Sequence, residues 1–79
     1  MQTEERVKVI LETLFEHKIS NPEEVSMDNE ELWDSLKHLE LIVMLEEEFE
    51  IQIPREDIPT LNSMLAIIKK IKEIINENM

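Results

Sequence analysis

The stretch "ELWDSLKHLELIVMLEEEF", residues 31–49, decides how the chain folds. Asp34 is a good N-cap, because its carboxylate can accept from amides of a first helical turn, and the apolar residues after it recur at helical spacing. The reading is a helix from Ser35 to about Phe49. At about 100° per residue, His38, Leu41, Ile42, Leu45 and Phe49 share one side, an ordinary core stripe. Leu36, Leu39 and Val43 lie on a second side about 130° away, flanked by Glu40, Glu46, Glu47 and Glu50. One helix of a small domain hardly buries both sides, so the second stripe is expected to face water as a narrow apolar strip rimmed by carboxylates. The other outcome is that neighbouring helices wrap round far enough to cover it.

Outward from that helix, Val7, Ile10, Leu11, Leu14 and Phe15 follow the same period. They predict an amphipathic helix from about Thr3 to His17, with Thr3 as its cap and Glu4 and Glu5 in its first turn. "KISNPEEVSMDNEELW" has no sustained period and carries Asn21-Pro22, so it reads as a long connecting loop with one short turn after Pro22. A loop of that length in a compact domain is often functional. "FEIQIP" alternates like a strand, but a lone strand has nothing to pair with. "REDI" is at most a single helical turn, closed by Pro59. Thr60 is then expected to cap a last helix carrying Leu61, Met64, Leu65, Ile68, Ile71 and Ile75, with Lys69, Lys70 and Lys72 toward its C-terminal end, where cations suit the dipole. The fold class is all-α: a small bundle of three main helices plus one short helix, in a single domain over residues 1–79.

Such a chain buries only about 60–65% of its unfolded surface and has room for one core. The three aromatics, Phe15, Trp33 and Phe49, are outnumbered by aliphatic residues, which give a core that rearranges more easily than stacked rings would. With no cysteine there is neither a disulfide nor a thiolate metal site. The sequence has no signal-like segment at its start and no apolar run approaching a membrane span, so a cytoplasmic monomer without membrane insertion is expected. The net charge is −11, and residues 23–57 hold thirteen acids against Lys37 and Arg55. Nucleic acid and anionic membrane would be repelled by that surface; a basic protein patch would be steered to it.

Ser35 follows the cap and sits at the positive end of the helix dipole, a favourable place for a phosphate ester. It is poorly equipped as a nucleophile on its own account, because no base is fixed beside it and Asp34 makes no triad with it. By themselves, Asp34 and Ser35 are an ordinary helix start. No catalytic or metal-binding set stands out elsewhere: an EF-hand counted from Asp28 has Trp33 and Leu39 where glycine and glutamate belong, and His17 and His38 lie on separate elements. The chain is not read as an enzyme.

The longer pattern "DSLKHLELIVMLEEEFEIQIP", residues 34–54, resembles the serine-bearing helix of acyl carrier proteins, and the order of elements around it is similar along most of the chain. The resemblance implies that Ser35, within an Asp34-Ser35-Leu36 motif, is esterified by 4'-phosphopantetheine taken from coenzyme A by a phosphopantetheinyl transferase. The thiol at the tip of that arm then holds acyl intermediates as thioesters for the enzymes that load and use them. It also implies that Leu36, Leu39, Glu40, Val43, Glu46 and Glu47 form the surface that meets basic patches on those partners, and that a carried chain can slip between the helices. Two departures accompany it. The family's usual glycine two residues before the serine is absent, since Leu32-Trp33 precedes Asp34, and Lys37 and His38 stand where fatty-acid carriers tend to have an acid and a small polar residue. They point to a specialised freestanding carrier outside bulk fatty-acid synthesis, for example in secondary metabolism. Trp33 has two readings, a residue that shields the arm or contacts a partner and a partly buried loop anchor. An aminoacyl carrier of the D-alanyl or peptidyl type, and an unmodified acidic adaptor for a basic protein, stay open beside the acyl carrier.

Overall fold

The structure, a computed structural model, describes residues 2–77. Three helices, α1 (Thr3–Phe15), α2 (Ser35–Phe49) and α3 (Met64–Glu77), enclose one core, with short 3-10 turns at Pro22–Glu24 and Arg55–Thr60. Among the described residues the only extended pairing is an isolated bridge between Ser26 and Ser63, so the expected all-α class holds. That bridge has a purpose in the fold. The Met27 amide donates to the Asn62 carbonyl and the Met64 amide to the Val25 carbonyl, which ties the long α1–α2 connection to the start of α3.

Each helix begins and ends for identifiable reasons. Asp34 caps α2 as expected, its Oδ1 accepting from the Lys37 amide at 2.9 Å. The other two starts differ from the sequence expectation. α1 begins at Thr3, with Gln2 in the cap position and no side-chain cap bond. Thr60 ends the second 3-10 turn, its hydroxyl donating to the Asp57 carbonyl, and α3 begins four residues later, with Ser63 Oγ accepting from the Ala66 amide. Asn62 and Ser63 are drawn out of helical register by the bridge to residues 25–27, a long-range constraint with no local signature. Because α3 runs to Glu77, Lys69, Lys70 and Lys72 lie in its middle instead of its last turn. Lys70 pairs with Asp57 and Glu73, and Lys72 with Glu4. At the C-terminal ends of α1 and α2 the chain turns through left-handed residues, Glu16 (φ 59°) and Glu50 (φ 54°). Glycine would adopt that conformation at lower cost, and this sequence has none.

The core is aliphatic with two rings at one end. Val7, Leu11, Leu41, Leu45, Ile67 and Ile71 are fully buried, and Phe15 packs on Trp33 with ring centroids 5.2 Å apart. Ile67 and not Leu65 faces the core; Leu65 is half exposed. Arg6 fastens the start of α1 to the end of α2: Nε donates to Glu48 Oε2 at 2.9 Å, Nη2 to the Glu48 carbonyl at 2.6 Å, and the guanidinium lies over the Phe49 ring. The carbonyl it reaches is one that the helix end leaves without an internal partner.

The far end of α1 is held differently. His17 Nδ1 meets the Lys18 carbonyl and its Nε2 pairs with Glu30, linking α1 to the loop that leads into α2. The Glu30 carboxylate, and then the Lys18 carbonyl, raise the His17 pKa above the ordinary histidine value. A raised histidine pKa contributes stability that is complete below the ordinary value and lost as pH rises through the raised one. Thermal midpoints across about pH 5 to 8 should therefore show the wild type's advantage over Glu30→Gln shrinking as pH rises. An advantage independent of pH would mean that the His17–Glu30 pair does not titrate as a unit of the fold.

Candidate functional site

The site is built on the first turn of α2. A tight reversal precedes it, in which the Trp33 amide donates to the Glu30 carbonyl and the Asp34 amide to the Leu32 carbonyl. Asp34 is extended, with φ −103° and ψ −172°, so its side chain caps the Lys37 amide while its carbonyl receives the His38 amide. The capping work is thus complete without the Ser35 hydroxyl, and Ser35 is exposed. Of the four amides for which the α-helix offers no partner at this end, that of Asp34 meets the Leu32 carbonyl and that of Lys37 the Asp34 side chain, which leaves those of Ser35 and Leu36 beside the hydroxyl.

Trp33 is the buried loop anchor: it is 3% exposed and presents no side-chain surface to shield an arm or meet a partner. Its indole N–H donates to His38 Nδ1 at 3.0 Å, and His38 Nε2–H donates to the Ile58 carbonyl at 2.8 Å. His38 is itself buried, so of the two residues expected to alter the surface charge, Lys37 alone reaches the surface.

Leu36, Leu39 and Val43 are 66%, 58% and 53% exposed, while Leu41 and Leu45 are fully buried. The second stripe of α2 therefore faces water. Leu32, half exposed in the preceding loop, carries apolar surface to the other side of Ser35. It lies before the helix, outside the periodic pattern that marks the strip. Leu39, Glu40, Val43 and the half-buried Met44 line a shallow, open depression along the strip.

The carboxylates around this strip are unequal. Glu40 lies 3.7 Å from Lys37 Nζ, an i,i+3 pair that the spacing of the two residues could have indicated. Glu46 is half buried and turns away from solvent, its Oε2 accepting from the Ile53 amide at 2.8 Å. Glu48 belongs to the Arg6 clamp. Glu47 and Glu50 are exposed, toward the C-terminal end of α2. Lys37 thus offsets Glu40 on the side of the strip nearer Ser35, while Glu47 lies about 18 Å along the helix from the serine.

No group of three or more histidines, cysteines, aspartates and glutamates among the described residues could hold a metal ion, and no helix there is long and apolar enough to cross a membrane. The other serines offer poorer anchor points than Ser35. Ser26 and Ser63 spend their hydroxyls on the amides of Asn29 and Ala66, and Ser20 lies in the loop after α1, away from any long helix start.

A three-helix bundle that presents an uncommitted serine at a helix start, next to an apolar strip, has the form of a carrier domain. A family model described as a phosphopantetheine attachment site matches residues 7–68, and the chain belongs to that family. No curated protein matches it significantly. Domains of this family carry a covalently attached 4'-phosphopantetheine group and are not themselves catalytic, which makes the chain a phosphopantetheine carrier. The residues present fit such a group: an exposed hydroxyl relieved of capping, at a helix end whose free amides favour a phosphodiester anion.

Burial assigns the two stripes of α2 opposite energetic roles. Val43→Asp should change unfolding free energy by no more than about 0.5–1 kcal/mol, whereas Leu45→Ala should cost about 2–5 kcal/mol in the same denaturant titration. A loss of several kcal/mol at Val43 would show that the strip is core.

Proposed function

We propose that Ser35 is the attachment point and that the chain is an acyl carrier protein, presenting its cargo to partner enzymes through the exposed side of α2. The observation that carries this reading is the geometry of Ser35: an outward hydroxyl, freed by Asp34, on a helix whose adjoining side is apolar and unburied. When attached, phosphopantetheine supplies a terminal thiol that holds an acyl group as a thioester. The chain's own residues supply the address. Leu36, Leu39 and Val43, together with Leu32, offer apolar contact around the serine, and Glu47 supplies long-range attraction for a basic patch, with Glu40 a weaker contributor because Lys37 offsets it. Glu46 supports the surface from beneath by holding the Ile53 amide.

The positive charge of Lys37 beside Glu40 favours a pathway outside bulk fatty-acid synthesis, whose partners do not require an unbroken acidic surface there. Acyl cargo is the reading we adopt over an aminoacyl group, on the resemblance of residues 34–54 to acyl carriers.

Incubation with coenzyme A, magnesium and a promiscuous phosphopantetheinyl transferase should add one phosphopantetheine to the intact mass of the wild type and none to Ser35→Ala. An unchanged wild type, or a gain kept by Ser35→Ala, would defeat the assignment. The unequal carboxylates make a separate prediction. At low ionic strength, Glu47→Lys should slow association with a basic partner about 3- to 10-fold, more than Glu40→Lys does, and the difference should fade in salt. Equal effects of the two reversals would refute the uneven surface.

A further inference from the structure

Ser35 stands within a buried hydrogen-bonded staple. Two residues before it, Trp33 is packed against Phe15; three residues after it, His38 is 8% exposed. Their side chains bond to each other across the backbone of Asp34 and Ser35, and the far nitrogen of His38 holds the carbonyl of Ile58 in the Arg55–Thr60 turn. An indole N–H can only donate and a peptide carbonyl can only accept. These two partners leave the imidazole one arrangement, a lone pair on Nδ1 and a hydrogen on Nε2.

Nothing in the packing of α2 demands a histidine at this position. Its neighbours on the buried stripe are Leu41, Ile42 and Leu45, and an apolar residue would fill the space without the cost of removing polar atoms from water. What histidine supplies is geometry: a buried network with every polar atom partnered fixes one arrangement where apolar contact tolerates several. The staple lies close to the serine on both sides and refers it to a second element, the turn containing Ile58. The Asp34 cap and the His38 amide bond to the Asp34 carbonyl cross the same few residues.

We propose that His38 is a positioning residue for the loading of Ser35: held in its Nε2–H form between Trp33 and the Ile58 carbonyl, it fixes the turn that presents the serine hydroxyl to the transferase. This inference rests on the carrier reading of Ser35. In loading, the serine oxygen bonds to the phosphorus on the pantetheine side of the coenzyme A pyrophosphate. The bond from that phosphorus to the bridging oxygen breaks, adenosine 3',5'-bisphosphate leaves, and the hydroxyl proton passes to a base of the transferase. His38 takes no part in that exchange, since both ring nitrogens are occupied. Its contribution is the fraction of time the hydroxyl spends in the competent place, which scales the rate at limiting carrier concentration.

The test is kcat/KM for loading by a promiscuous transferase with coenzyme A, at a temperature where each variant is shown to be folded. His38→Phe should lose about 10-fold, and Trp33→Phe a similar amount. His38→Gln, whose amide can accept from the indole and donate to the carbonyl, should return to within about 3-fold of wild type. Ile71→Val, a fully buried change on α3, should lower the thermal midpoint yet load as wild type does. In the wild-type nitrogen-15 spectrum the ring should show a protonated Nε2 and a bare Nδ1. If His38→Phe does not fold, His38→Gln and Trp33→Phe decide the matter by the same comparison. Wild-type loading in every folded variant overturns the proposal, as does a His38→Gln as slow as Trp33→Phe, loading that merely follows the thermal midpoint, or the opposite tautomer. A wild type that gains no mass removes Ser35 as the attachment point, a failure of the carrier reading distinguishable from all of these.

Discussion

The rotation of α2 about its own axis governs everything functional in this molecule, and it is set by burial. Leu41 and Leu45 are wholly buried, Ile42 nearly so, and His38 is partnered at both nitrogens. Burying each large aliphatic side chain contributes about 1.5–3 kcal/mol. Turning the helix by about 130° would bury Leu36, Leu39 and Val43 instead, but it would also carry Glu47 and Glu50 inward, at several kcal/mol for each unpaired charge. It would leave the indole of Trp33 without its acceptor as well. The competition is therefore not close. With a period of 3.6 residues and the core stripe fixed, the strip has nowhere to go but outward, and Ser35, in line with Ile42, is exposed because it opens the helix on its first turn.

Both ends of α2 are then pinned by different chemistry. At the C-terminal end Arg6 reaches from α1 to the side chain and carbonyl of Glu48 and covers Phe49. At the N-terminal end Trp33, His38 and the Ile58 carbonyl form a buried chain, with the Asp34 cap outside it. Ordered in this way, the helix works as a rigid rod with a handle at one tip and its exposed negative charge toward the other. A partner can be drawn to the acidic end through solvent while making apolar contact around the serine. Those are separate tasks with separate physics, one long-ranged and screened by salt, the other short-ranged and dependent on dry contact.

What the sequence revealed follows from how local each signal is. The limits of α2 were legible, because Asp34 is a strong cap and the apolar period runs unbroken to Phe49. Thr60 misled because its hydroxyl finds the Asp57 carbonyl within its own turn, while the bridge between Ser26 and Ser63 sets the true start of α3. That bridge joins residues far apart in the chain and leaves no pattern to read. Ile67, and not Leu65, completes the buried stripe with Met64, Ile68 and Ile71, a rotation of α3 that both apolar spacings permitted. Within the site, Ser35 stood out only by the resemblance of residues 34–54, whereas the exposure of Leu36, Leu39 and Val43 was legible from spacing. Trp33 and His38 were not, since their bond depends on the fold of the preceding loop. Glu46 was read with the surface carboxylates, and its bond to the Ile53 amide needs the path of the chain after Phe49.

The most direct examination of this account is tandem mass spectrometry of the protein isolated from the cells that make it, with fragmentation that ejects the pantetheine moiety. The exposed, uncommitted hydroxyl at the start of α2 predicts the ejected fragment on the peptide containing Ser35, and on no other. The same fragment on a peptide containing Ser20, Ser26 or Ser63 instead would contradict it.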